Sequence, residues 1–317
     1  MIVADDEGKQ YLLDLMAGKI PLGLGIDCEL DNHLRFKKGQ LVMINGHDNV
    51  GKTYWIIYYF LALTMKHGLT WTIYSSENMI ANIKRDLIQF KTGKKLSELS
   101  EQEFYQEFTE ISHYFKFVDV EQLYTVDSIQ KVFEKSNTDG YLIDPLTTLL
   151  NDTIKVNKHE TDNEGILRLK TWLKKSKKTL YINTHCSTES TRKVYPREHE
   201  LAGHITPPLK ADTIGGQKYA DRADDFITIH RLIQHENQWM DTQVHVRKVK
   251  DTQTGGKGTF LETPVIFKCS YTVNFYVADI NPMSNKPKKE IELQPNTEFL
   301  EPKEDLTDFN VEEDAPF

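Results

Sequence analysis

Eight consecutive residues, Gly46-His47-Asp48-Asn49-Val50-Gly51-Lys52-Thr53, fit the pattern G-x-x-x-x-G-K-[ST]. The chemistry of that pattern is the cradling of phosphate. Its glycines let backbone N–H groups curl round an anion, and a helix starting at the lysine adds partial positive charge. Lys52 then sets an ammonium on the β- and γ-phosphates of ATP, and the Thr53 hydroxyl ligates Mg²⁺. Gly46, Asn49, Val50 and Gly51 supply the backbone that meets the nucleotide. A chance match would sit in a surface turn. Here an apolar run at 41–44 precedes the loop and a helical stretch from Thr53 follows it, the context the motif requires.

Three more polar residues close short runs of their own. Asp144 ends Tyr141-Leu142-Ile143; it is either a turn residue or, given the phosphate loop upstream, the carboxylate that holds the water shell of Mg²⁺. The latter is favoured. Glu77 follows Ser75-Ser76 and is suited to orient and deprotonate an attacking water; equally, it suits the N-terminus of the helix that follows. His185 closes Leu180-Tyr181-Ile182-Asn183-Thr184. It is either a structural residue or a sensor that bonds the γ-phosphate and reports hydrolysis to the next loop.

These residues need a scaffold that brings strand ends together. The sequence predicts strands at 41–44, 71–74, 117–120, 141–143 and 180–183, alternating with helices at 53–66, 78–91, 127–135 and 163–177. Apolar strands alternating with helices mean an α/β fold with a mostly parallel sheet, helices on both faces. From 225 the pattern becomes strands without helices, at 225–231, 242–250, 264–269 and 272–277, which predicts antiparallel hairpins at the sheet edge. No internal repeat is present. Residues 7–17 read as a short amphipathic helix outside this scaffold, packing its Leu and Met face on its own domain or on a neighbouring subunit. Residues 186–214 lack periodicity, carry three prolines and several cations, and predict a loop that is functional or disordered.

The chain has 317 residues, 39% hydrophobic and 27% charged, enough for one full core. Three dispersed cysteines, Cys28, Cys186 and Cys269, offer neither a disulfide framework nor a zinc site. No apolar window reaches the ~18 residues of a membrane span, and the acidic N-terminus carries no signal pattern, so a cytoplasmic protein is expected. The net charge of −8 argues at first against nucleic acid. Ten acidic residues and one lysine lie within 290–317, however, so the rest of the chain is near neutral and compatible with a basic channel. Residues 281–317 read as a disordered acidic tail.

Together these segments resemble the RecA-like motor domain of DnaB-type replicative helicases, including phage primase-helicases and mitochondrial Twinkle. The approach Leu30-Asp31-Asn32-His33-Leu34-Arg35-Phe36-Lys37-Lys38-Gly39-Gln40-Leu41 looks like the family's entry to its phosphate loop. The order Lys52, Glu77, Asp144, His185 is similar to the family's lysine, catalytic glutamate, metal aspartate and sensor. The most discriminating segment, Gly215-Gly216-Gln217-Lys218-Tyr219-Ala220-Asp221-Arg222-Ala223-Asp224-Asp225-Phe226-Ile227, resembles one that generic phosphate-loop ATPases lack. The resemblance spans about residues 22–278.

What the resemblance implies is a RecA-like phosphate-loop NTPase fold at 22–280, a linker or subunit-docking helix at 1–21, and a ring, six subunits by family, moving on single-stranded DNA with ATP and Mg²⁺. In the family a neighbour completes the ATP site with an arginine finger from a K-x-R motif. Here Lys250 of Arg247-Lys248-Val249-Lys250 stands at that place, a departure, because lysine lacks the planar bidentate fork. Arg231, ending its strand, resembles a family arginine near the nucleotide. Without the resemblance, 247–250 reads as a solvated edge strand. The loop after His185 offers Arg192, Lys193, Arg197 and Lys210 to DNA phosphates, with Arg192 and Lys193 nearest the sensor. The acidic tail ending at Phe317 suits docking on a replisome protein or simply solubility. The resemblance leads us to expect a motor without the family's primase or collar domain before it, and the compact layout suggests a phage or plasmid origin. Two other readings stay open: a RecA-like recombinase or strand-annealing ATPase that forms filaments, and a nucleotide-gated replisome adaptor.

Overall fold

The computed structural model describes residues 8–19, 22–149, 158–215, 217–270, 273–283 and 286–287. The elements in chain order are α1 (Lys9–Met16), β1 (Leu41–Asn45), α2 (Lys52–His67), β2 (Trp71–Ser75), α3 (Ile80–Thr92), α4 (Glu101–Tyr114), β3 (Phe115–Phe117), α5 (Val126–Ser136), β4 (Gly140–Asp144), α6 (Lys158–Ser176), β5 (Thr179–Asn183), α7 (Gln217–Arg222), β6 (Asp225–His230), β7 (Asp241–Val249), α8 (Thr252–Gly255), β8 (Val265–Ser270), β9 (Asn274–Tyr276), β10 (Ile280–Asn281) and β11 (Lys286–Pro287). Nine strands form one sheet in the order β3-β2-β4-β5-β1-β6-β7-β8-β9. Pairing is parallel from β3 to β6 and antiparallel from β6 to β9. The α/β expectation, with antiparallel strands added at the C-terminal edge, describes this sheet.

The apolar runs explain the layering. β1, β2, β4, β5 and β6 are buried along their whole length, as strands covered on both faces must be. On one face lies α2, which buries ten consecutive residues from Trp55 to Thr64. A helix apolar all round belongs inside a core; α3 and the C-terminal strands enclose its outer side. Phe60 stacks on Trp71 with ring centroids 3.7 Å apart. Gly140 of the adjacent strand makes room for that indole, since a Cβ there would stand 2.2 Å from Trp71. On the other face α5, α6 and α7 contribute Ile129, Phe133, Ile166, Leu169, Leu173 and Ala220 to a cluster with β1, β4, β5 and β6.

Four departures from the sequence reading are local. α4 was not anticipated, although Ser100 and Glu103 form a capping box at its start. It runs directly into β3, so that strand ends at Phe117 where the sequence suggested 117–120. The short α7 was also not anticipated. The tail expected to be disordered from 281 begins with an ordered pair, β10 with β11, because Asn281 is drawn into the core beside the Tyr58 hydroxyl. Residues 288–317, including Phe317, lie outside the described residues. α1 forms as expected, and among the described residues nothing buries its Leu and Met face.

Candidate nucleotide site

β1 delivers the chain to the phosphate loop, and the loop turns sharply back into α2. Gly46 passes so close to β6 that a Cβ would lie 2.5 Å from the Ile229 carbonyl oxygen. Gly51, at φ +80°, is the left-handed residue that opens α2. Asn49 takes a positive φ as well, and Val50 drops its side chain into the core, which fixes the loop from beneath. Lys52 donates to the carbonyl oxygens of Gly46 and His47 at 2.9 and 2.8 Å. An ammonium has three donors, so the third is left for a phosphate. Burial lowers the Lys52 pKa; nearby Cys186, Asp48, Asp144 and Glu77 work the other way.

The parallel register lines up the other strand ends. Ser75 of β2 stands opposite Asp144 of β4. Asp144, 2% exposed, accepts from Thr53 Oγ1 at 2.8 Å, Ser75 Oγ at 2.9 Å and Asn78 Nδ2 at 3.3 Å on one oxygen. Asn183 Nδ2 donates to its other oxygen at 2.8 Å. Ser75, Asn78 and Asn183 were not assigned roles from sequence; the signal for Asn183 was an amide closing an apolar strand. They aim the carboxylate. Glu77 follows β2 and meets His185 Nε2 at 3.1 Å. His185 in turn stands 3.2 Å from Asp48 of the phosphate loop through Nδ1.

Lys52, Thr53, Glu77, Asp144 and His185 therefore border one cavity of about 640 Å³, with Asp48 and Asn49 on its rim. That volume suits a nucleotide-sized ligand. Four carboxylates line it, of which Asp86 is paired with Arg85 at 2.7 Å. Asp48, Glu77 and Asp144 outweigh the single ammonium, so a polyphosphate needs further positive charge to settle there. Among the described residues no three metal-ligating side chains cluster. The pair Thr53 and Asp144 nevertheless fits Mg²⁺, which takes one or two protein oxygens and completes its shell with phosphates and water.

The remaining sequence-predicted residues are not gathered here. Arg231 lies behind the loop: its guanidinium sits 2.9 Å from where a Gly51 Cβ would be, donates to Thr242 Oγ1 at 2.7 Å and lies over the Tyr54 ring at 5.9 Å. It borders a second cavity of about 510 Å³ with Tyr54, Asp86 and Trp239. Lys250 is on the far side of β6, paired with Asp224 at 3.2 Å; Lys170 reaches the same carboxylate at 2.8 Å. Arg247 is partly buried. The loop at 186–214 is ordered: Val194 bridges Ile205 in a hairpin, and Asp212 pins its base through Ser187, Leu209 and Lys193. Lys193, an expected DNA contact, thus spends its charge on Asp212 at 2.6 Å. Arg192 stays exposed beside Glu189, Arg197 is exposed at the hairpin tip and Lys210 is half-buried. Of the segment 215–227, Gly216 and the side chains of 217–219 lie outside the described residues.

No family model matches the sequence, and no curated protein matches it. Solved structures do resemble it. The ATPase domain of the protein G40-P superposes with a TM-score of 0.69 at 15% identity, covering 87% of this chain and 99% of that one. A DnaB-like replicative helicase, solved for its interactions with primase, gives 0.65 at 15% identity over 87% of this chain and 67% of its own. A KaiC-like protein, PH0186 from Pyrococcus horikoshii OT3, gives 0.50 at 16% identity over 81% and 97%. At such identities the likeness is one of architecture: this chain has the RecA-like ATPase fold of DnaB-like helicase domains.

Proposed function

We propose that the chain is the ATP-hydrolysing motor of a DnaB-like replicative helicase, working on single-stranded DNA as a ring of identical subunits. The observation that carries this reading is the convergence of Lys52, Thr53, Glu77, Asp144 and His185 on one cavity in a fold shared with such domains. Lys52 binds the phosphates. Thr53 and Asp144 hold Mg²⁺, which supplies charge neutralisation of the phosphates when bound. Glu77 orients a water and accepts its proton, and His185, which it contacts, senses the γ-phosphate. Arg231 backs the phosphate loop at Gly51 in the same subunit. Lys250 is the finger for a neighbour's site, a role consistent with its distance from its own cavity and with that cavity's shortage of cations. The unburied apolar face of α1 supports docking on an adjacent copy. In this scheme 1–21 is the docking segment, 22–280 the motor and 281–317 a tail for a replisome protein, in a cytoplasmic setting. Arg192 and Lys210 face the DNA strand, and Lys193 holds their loop in place through Asp212.

The test is ATP turnover with and without single-stranded DNA. Stimulation by DNA, with Lys52→Ala and Glu77→Gln each losing at least about a hundredfold, supports the motor. ATP binding without turnover sinks it and favours a second reading, a nucleotide-gated adaptor, which the lysine at the finger position motivates.

A further inference from the structure

We propose that His47 is a positioning residue that couples the phosphate loop to the 186–214 loop through a hydrogen bond to Ser190, a route separate from His185. The inference rests on the reading of this site as an ATP site.

The segment after β5 runs along the phosphate loop. His185 faces Asp48, and four residues beyond Cys186 the Ser190 hydroxyl lies 3.0 Å from His47 Nε2. Ser190 is 1% exposed and His47 7%. A hydroxyl has one proton, and that of Ser190 is committed to the Ser187 carbonyl oxygen at 2.6 Å. His47 must therefore be the donor, through Nε2–H. Burial, and after it the Lys52 charge, lowers the His47 pKa, which favours the neutral ring. The His230 ring stands edge-on to it at 6.3 Å and limits its rotation.

The other end of His47 is tied to the ammonium that would meet the phosphates, since its carbonyl oxygen accepts from Lys52 Nζ at 2.8 Å. A triphosphate that takes the third donor of Lys52 draws the ammonium towards it, and the His47 peptide bonded to that ammonium is drawn along, the ring with it. Ser190 follows, because leaving a buried N–H without an acceptor costs more than shifting a turn. Space exists for the shift: beside the pair is a cavity of about 260 Å³, with His47 and Asn49 on one wall and Thr191, His204 and Ile205 on the other. Ser190 belongs to the short turn Thr188–Arg192, so its displacement is felt at exposed Arg192.

The experiment is amide hydrogen exchange over 186–214 in the full chain, with and without ATP and Mg²⁺, beside steady-state kinetics. In the wild type ATP is expected to change exchange across 187–193. Ser190→Ala should lose most of that change and cut the DNA-stimulated rise in kcat about fivefold or more, while the KM for ATP and exchange across the sheet stay as they were. Ser190→Thr, which keeps the hydroxyl, should retain the response. A full ATP response in Ser190→Ala overturns the proposal, as does ATP binding that leaves 187–193 unchanged in the wild type. Failure to bind ATP at all overturns the site reading and this coupling with it.

Discussion

At the carboxyl ends of β1 and β4, polar side chains converge on open space: Thr53, Ser75 and Asn183 aim Asp144, and Glu77, His185 and Asp48 form a chain across the cavity mouth. Across β6 and β7 the charges turn inward on themselves. Lys37 is buried against Asp225 at 2.9 Å, Lys170 and Lys250 share Asp224, and Lys248 caps the backbone carbonyls of Ala220 and Ala223. The first region is organised to receive a ligand with the residues of one chain. The second is organised to hold β6, β7 and α7 together, and Lys250, with half its side chain exposed, has reach to spare. In the proposed ring, that division would give each subunit a nearly complete site short of cations and a surface that offers one.

The sharpest way to break this comparison is to remove the offered cation. Lys250→Ala should lower turnover of the assembled protein about ten- to a hundredfold, less than loss of an arginine finger, because lysine contributes charge without a bidentate fork. Mixing it with Lys52→Ala should restore activity above that of either alone, since each supplies the half the other lacks. Mixtures no more active than their parts would place Lys250 outside the site.

A smaller effect separates the two basic residues of the loop. Arg192→Ala should weaken single-stranded DNA binding a few-fold and reduce its salt slope by about one, as loss of one phosphate contact does. Lys193→Ala should instead lower the loop's protection from exchange, because it removes the partner of Asp212. Equal changes in DNA affinity and salt slope for both would erase the distinction drawn from their contacts.

The smallest effect concerns stability around the β6–β7 pair. Burial lowers the pKa of His230 and of His245 to about 3, with neighbouring cations and rings adding to it. The unfolded chain has them near ~6.5, so between these values the unfolded state binds more protons and stability rises with pH. Their contribution is fully present above ~6.5 and is lost as pH falls towards 3, at a rate of at most about 1.4 kcal/mol per pH unit for each ring. His245→Gln should flatten the acid side of the melting curve measured from pH 7 to 4. An unchanged slope would show that other groups govern acid unfolding.

The two regions were not equally legible in the sequence. The phosphate loop, its strand and its helix are contiguous, so spacing alone identified Lys52 and Thr53. Asp144, Glu77 and His185 were readable as polar ends of apolar runs, since a parallel sheet collects its carboxyl ends at one edge. The contacts among them depend on strand order, which no local pattern encodes; hence Ser75 and Asn183 went unassigned. The pairing of Lys193 with Asp212 and of Lys250 with Asp224 joins residues 19 and 26 positions apart, and composition showed only cations free for DNA. The capping box of α4, by contrast, was a local signal that went unread.

Of the four tryptophans, Trp172 is half-buried on α6, and the other three divide sharply by depth. Trp55 and Trp71 are sealed in the aromatic core around α2, whereas Trp239 is half in water on the rim of the cavity behind the phosphate loop, beside Arg231. The indole ring emits at shorter wavelength when it leaves water. The chain thus carries its own optical reporters: two whose colour follows the integrity of the whole core, and one placed to register what enters beside Arg231 without any dye attached.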